Sequence, residues 1–160
     1  MSVVFKIKQS RDAHKAQMTG MLGVYLTAVE LTKLGFIVSP TSRSALGADL
    51  LVTDQECKKA WSVQVKTNAK TAKFWLTSEK AKSISSKSHI YVFVNARRDK
   101  GEPEFYVVPS RIVAKTIKTT PPRKTGSIWH SYWKDEKYRD AWKKVFGEPK
   151  GPTPAKLDSK

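Results

Sequence analysis

At 160 residues with a formal net charge of +16 and a pI of about 10, the chain is long enough for one basic domain with a modest core. Such a balance points to a polyanionic partner through counterion release, most simply nucleic acid, with a membrane surface or an acidic protein as the other candidates. No apolar stretch approaches bilayer length, the opening Met-Ser-Val-Val-Phe-Lys lacks a signal peptide's apolar core, and the lone Cys57 excludes an internal disulfide, so the expected location is cytoplasmic.

In chain order, residues 1–13 are polar and basic and read as a short strand followed by a loop. Over residues 14–34, Met18, Met21, Leu22, Tyr25, Ala28, Val29 and Leu31 recur at three- and four-residue steps, which predicts a helix capped by Gly35. Phe36-Ile37-Val38 predicts a strand, and residues 40–45 a loop. Leu50-Leu51-Val52 and the alternating run Trp61, Val63, Val65 predict the two strands of a hairpin, joined by the polar turn 54–59.

A basic loop follows Lys66. Then come Phe74-Trp75-Leu76 and a short helix to about Ser86, with Ser78 as its N-cap. Residues 89–95 form a near-continuous apolar run, as expected of a buried central strand. A charged turn leads to a strand over 104–108 that Pro109 stops, and Ser110 is placed to cap a helix carrying Ile112, Val113 and Ile117. Residues 119–126 read as a Pro/Lys loop, 128–133 as an aromatic segment, and 135–146 as a final helix ended by Gly147. The Pro-, Gly- and Lys-rich stretch 148–160 is expected to be a disordered tail. The order of elements predicts an α/β domain over 1–147, a mixed sheet flanked by helices.

The hairpin carries the chemistry. Asp49 opens its first strand, and the period of two places Gln64 and Lys66 together on the face opposite Trp61, Val63 and Val65. An acid, an amide and a lysine at one rim can hold a divalent cation and steady a phosphate. Magnesium is commonly bound by one or two carboxylates with water and phosphate oxygens completing its shell. The plain alternatives are a turn aspartate bonding nearby backbone groups, a polar residue on a solvated strand face, and one more surface lysine. Lys70, Lys73, Arg97, Arg98, Arg123 and Lys124 sit in predicted loops and can grip phosphates, and Trp129 and His130 can stack on a base or sugar. A small satellite core is the other reading of that aromatic cluster.

Asp49 with Gln64-Val65-Lys66, preceded by a helix and strand and followed by Phe-Trp-Leu, a helix and Tyr-Val-Phe-Val, resembles the PD-(D/E)XK nuclease superfamily. The likeness runs from about Gly23 to Val108. It is nearest to small bacterial endonuclease-like proteins with Gln in place of the second acid, and looser to archaeal Holliday junction resolvases. The resemblance implies a restriction-endonuclease-like core and hydrolysis of DNA phosphodiesters with magnesium or manganese. In it, Asp49 and Gln64 would be metal ligands and Lys66 would orient the attacking water. It also implies pairing of two copies, since such enzymes commonly pair to cut two strands. The superfamily carries a glutamate early in the preceding helix, often as Gly-Glu. Here Gly23-Val24 stands at that place, and Glu30, six positions on, is the candidate substitute. A catalytically degenerate nucleic-acid-binding module on the same fold is the second reading, and a basic protein-interaction factor the third.

Overall fold

The computed structural model describes residues 3–42, 47–97, 101–119, 128–130 and 135–149, with side chains from residue 12 onward except those of 128–130. At its centre is a five-stranded sheet in the order β1 (Ile37–Pro40), β2 (Leu50–Thr53), β3 (Ala60–Asn68), β5 (His89–Asn95), β6 (Glu104–Pro109). Both contacts of β2 are antiparallel, β3 and β5 are parallel, and β5 and β6 are antiparallel. The parallel step needs a crossover. It contains β4 (Trp75–Thr77) and the short helix α2 (Lys80–Ser83), and β4 joins β8 (Ile128–His130) and β7 (Lys118–Thr119) in a second small sheet.

Alternation along the strands divides the core into two. Val63, Val65, Ile90, Val92, Val94, Phe105 and Val107 face one way and pack under α1 (Val3–Lys33) and α4 (Trp142–Phe146). Tyr91, Phe93, Tyr106 and Val108 face the other way, against Trp75, Ala81, and Val113 of α3 (Ser110–Thr116). Covered on both faces, β5 is buried at all seven positions, which is why it reads as an unbroken apolar run. Among the described residues no helix is long and apolar enough to cross a membrane.

Four local expectations are corrected. The first helix begins at Val3, where a strand and loop were expected. No glycine or proline intervenes before Gly20, and the lysines, glutamines, alanines and arginine of that stretch propagate a helix well. α2 is a single turn whose N-cap is Glu79, and Ser78 contributes its carbonyl to the Ala81 N–H. Ser110 does not cap α3 but is its first residue. Its buried hydroxyl donates to the Ser86 carbonyl at 2.9 Å and accepts from the Ser86 N–H at 3.0 Å, tying α3 to the loop before β5. The final helix is broken into a 3-10 turn (Glu136–Tyr138) and α4. Arg139 bridges to Tyr106, and the Asp140 N–H donates to the Phe105 carbonyl with Asp140 at φ 47°, so pairing with the edge of β6 interrupts the helix. Residues 120–126 of the expected Pro/Lys loop, 131–133 of the expected aromatic segment and 150–160 of the expected tail lie outside the described residues.

His89 begins β5 and is 4% exposed, with Nδ1 2.8 Å from the Ser62 hydroxyl. Burial pushes its pKa below the ordinary histidine value. The folded protein therefore holds a neutral imidazole, and the unfolded chain binds more protons once pH falls below the ordinary value. Stability is full above about pH 6.5 and declines as pH drops toward the lowered folded value. Asp140, whose carboxyl is raised by burial, acts in the opposite sense but near the carboxylate range. Thermal melts between about pH 7.5 and pH 5.5 are expected to show a fall in Tm that His89→Gln flattens. An identical slope in the variant would assign the acid sensitivity elsewhere.

Candidate active site

Asp49 immediately precedes β2 and is fixed by both neighbouring strands. Its N–H donates to the Val63 carbonyl at 2.8 Å, and its carbonyl accepts from the Thr41 N–H at 3.0 Å. One further step of the β2–β3 register sets it opposite Gln64. The side chains meet there: Asp49 Oδ2 accepts from the Val65 N–H at 2.7 Å and from the Gln64 amide nitrogen. Only the amide nitrogen of a glutamine can donate to a carboxylate, so Oε1 of Gln64 is turned away from Asp49. Lys66 lies one pleat farther along the same face of β3, roughly 7 Å on, and like Gln64 is half-buried. The trio read from the sequence is thus gathered at one rim, and Asp49 and Gln64 are in contact.

Beside Asp49 is a cleft of about 170 Å3, walled by Met21, Val24 and Tyr25 of α1 and by Pro40, Thr41 and Ser42 after β1. The helix comes this close because position 23 has no side chain. A Cβ on Gly23 would overlap Thr67 Oγ1 and sit 2.8 Å from Thr67 Cβ. Val24 is thus one of the helix residues that share the cleft with Asp49. Glu30 does not line the cleft, which corrects the expectation that it stands in for the missing helix acid. It pairs with Lys33 at 2.9 Å, and its charge acts on Asp140. Six residues beyond Val24, Glu30 lies roughly 9 Å farther along the helix axis.

As a donor set, Asp49 offers one carboxylate and Gln64 one amide oxygen. Both are hard oxygen ligands suited to magnesium or manganese. Among the described residues no group of three or more His, Cys, Asp or Glu side chains is arranged to hold a metal ion. The pair fits an ion that keeps most of its coordination for water and phosphate, provided the Gln64 amide turns over to present Oε1.

The loop after β3 carries Lys70 and Lys73, both exposed, at the carboxyl ends of the parallel strands β3 and β5, where open α/β sheets place ligands. Sequence reasoning missed the residue that holds this loop. Asn95, 1% exposed, accepts at Oδ1 from the Ala72 N–H and Asn68 Nδ2, both at 3.3 Å. Its Nδ2 donates to the Ala72 carbonyl and to Glu104, each at 3.2 Å. The available signal was an amide ending an apolar run in register with Asn68, two positions past Lys66. Arg97 stands just beyond Asn95 at φ 44° and pairs with Glu104 at 3.4 Å, so part of its charge is already engaged. Trp129 lies opposite Leu76 and Lys118, and His130 opposite Trp75, in the small sheet. Their side chains, together with Arg98, Arg123 and Lys124, are outside the described residues.

No protein-family model matches the chain, and no curated protein matches it by sequence. In structure it is similar to a bacterial homing endonuclease, at 16% identity and a TM-score of 0.55, over 83% of this chain and 92% of that one. It is also similar to Hjc, a Holliday junction resolvase of the archaeal hyperthermophile Archaeoglobus fulgidus, at 11% identity and a TM-score of 0.44, over 74% and 86% of the respective chains. The fold assignment rests on the first of these. The mixed sheet with helices on both faces is the restriction-endonuclease-like α/β core that the Asp49…Gln64-Val65-Lys66 pattern implied.

Proposed function

We propose that this chain is a metal-dependent endodeoxyribonuclease of the PD-(D/E)XK type that hydrolyses phosphodiester bonds in DNA. The observation that carries the reading is the Asp49 carboxylate, held by Gln64 and the Val65 N–H beside Lys66 on a chain of net charge +16. Asp49 and Gln64 would hold magnesium or manganese, and the ion supplies a water of lowered pKa and charge neutralisation at the phosphate. Lys66 orients the attacking water and balances charge that develops on the phosphoryl oxygens, where a compact ammonium is well suited. Lys70 and Lys73, on the loop that Asn95 holds, grip the backbone and contribute no base selectivity. Cutting both strands of a duplex takes two such sites, so a second copy of the chain is the partner expected on DNA. The test is nicking of supercoiled plasmid and of branched DNA with magnesium or manganese. A folded protein that cuts neither fails it.

Val24 beside Asp49 favours one other reading, a nucleic-acid-binding module that has lost its chemistry. Salt-sensitive binding without cleavage under either metal would select it.

The Gln64 amide also carries a prediction. As a donor to Asp49 it steadies the carboxylate without a cation. A glutamate there would set two carboxylates side by side and relieve them by binding metal. Gln64→Glu is expected to tighten manganese binding on the order of tenfold, because ligand charge count sets affinity for hard cations. It should also lower Tm in EDTA and regain it with metal. Calorimetric titration reads the first and thermal melts the second; unchanged affinity would remove Gln64 from the metal site.

A further inference from the structure

We infer that a second cleft, at the opposite end of β5 from Lys70, Lys73 and Arg97, is a separate binding site for the sugar–phosphate backbone of nucleic acid. Its volume is about 330 Å3, and Lys87, Arg111, Lys137 and Lys144 line it over a floor that includes Ile112 and Tyr138. Among the described residues, no carboxylate lines it. The four cations come from the loop before β5, the start of α3, the 3-10 turn and α4, so the fold rather than local sequence gathers them. Lys87, Arg111 and Lys144 are exposed. Lys137 is engaged with Asp135 at 3.6 Å and lies over the Tyr138 ring.

Like charges drawn from four segments into one concavity repel one another, and a polyanion relieves that repulsion while releasing its own counterions. The volume exceeds what a bare phosphate needs, and the partly apolar floor suits a sugar. The seven residues of β5 separate this cleft from the cations beside Asn95 by roughly 20 Å at strand rise. One backbone segment in the active-site rim and a second in this cleft would therefore be held at once. The inference deepens the proposed DNA-acting function and rests on it.

The experiment measures affinity for a metal-free 20-base-pair duplex across a salt series. Wild type is compared with the Lys87→Gln, Arg111→Gln, Lys144→Gln triple variant, and with a control triple that neutralises the exposed lysines Lys80, Lys82 and Lys115. Each backbone contact contributes about 0.9 to the slope of log affinity against log salt, so the cleft variant is expected to lose about 2 to 3 from that slope and the control much less. Acetylation of the wild type, read by mass spectrometry, should show Lys87 and Lys144 protected when duplex is bound. Equal slopes for the two triples, or unprotected lysines under saturating duplex, would overturn the second site and leave the nuclease reading standing. Wild-type protein that binds no duplex would overturn the second site, and if it also cuts neither plasmid nor branched DNA the nuclease reading falls with it. In that case protection of Lys87 and Lys144 by inorganic tripolyphosphate would show the anion site surviving without its nucleic-acid role.

Discussion

Asp49→Ala protein is expected to lose DNA cleavage by about a thousandfold while remaining folded and still binding DNA. Asp49 is the sole carboxylate of the trio, and no other acid comes to it from the helix, because Val24 lines the adjoining wall and Glu30 is paired with Lys33. If Asp49 and Gln64 hold the metal as proposed, removing Asp49 takes away the charged member of the pair, so manganese binding should disappear together with cutting. A stability penalty of about 1 to 2 kcal/mol should accompany the loss, since the Val65 N–H and the Gln64 amide are left without their acceptor in a half-buried place. Lys66→Ala should show the complementary pattern: a comparable loss of cleavage, metal binding retained and little change in Tm. The pair separates chemistry from folding, because a variant that merely unfolds would lose duplex affinity and metal binding together. Cleavage that persists in both variants would place the reaction elsewhere or assign it to a contaminant.

The sheet was legible where side-chain chemistry alternates or runs unbroken. Val63 and Val65 against Gln64 and Lys66 marked a strand with one covered face, and the apolar run from Ile90 to Val94 marked a strand covered on both. The rim of the site was legible for the same reason, because a period of two fixes which residues share a face and a hairpin fixes which strand ends meet. Two of the misses depended on contacts distant in sequence. The break at Asp140 follows from its hydrogen bond to Phe105 on another strand, and nothing between Asp135 and Phe146 announces it. Asn95 reaches back 23 residues to Ala72 and forward nine to Glu104, so its hold on the basic loop becomes apparent only once β3, β5 and β6 are side by side. Glu30 shows a different limit. Helical rotation can be counted from sequence, but the point where a helix crosses a sheet is set by packing, here by the bare backbone of Gly23 against Thr67.

That crossing carries the second large prediction. Gly23→Ala is expected to destabilise the protein even though alanine gains about 1 kcal/mol over glycine inside a helix. The added methyl would overlap Thr67 Oγ1 and lie 2.8 Å from both Thr67 Cβ and Cγ2. Rotating Thr67 moves its hydroxyl and methyl but not its Cβ, which is fixed to the backbone of a central strand. α1 must then back away from β3, at an overpacking penalty of about 3 kcal/mol. The net loss of about 2 kcal/mol corresponds to a Tm lower by about 4 to 8 °C for a chain of this size. Because Met21 and Val24 ride on the same turns and wall the cleft beside Asp49, the retreat should also weaken activity more than the fall in stability alone accounts for at a temperature where the variant is folded. Thr67→Ala in the Gly23→Ala background removes the hydroxyl and methyl and leaves only the 2.8 Å approach to Cβ, so it should restore part of both losses. A Gly23→Ala protein at least as stable as wild type would mean that helix propensity outweighs the crowding, and that α1 is free to sit farther from β3.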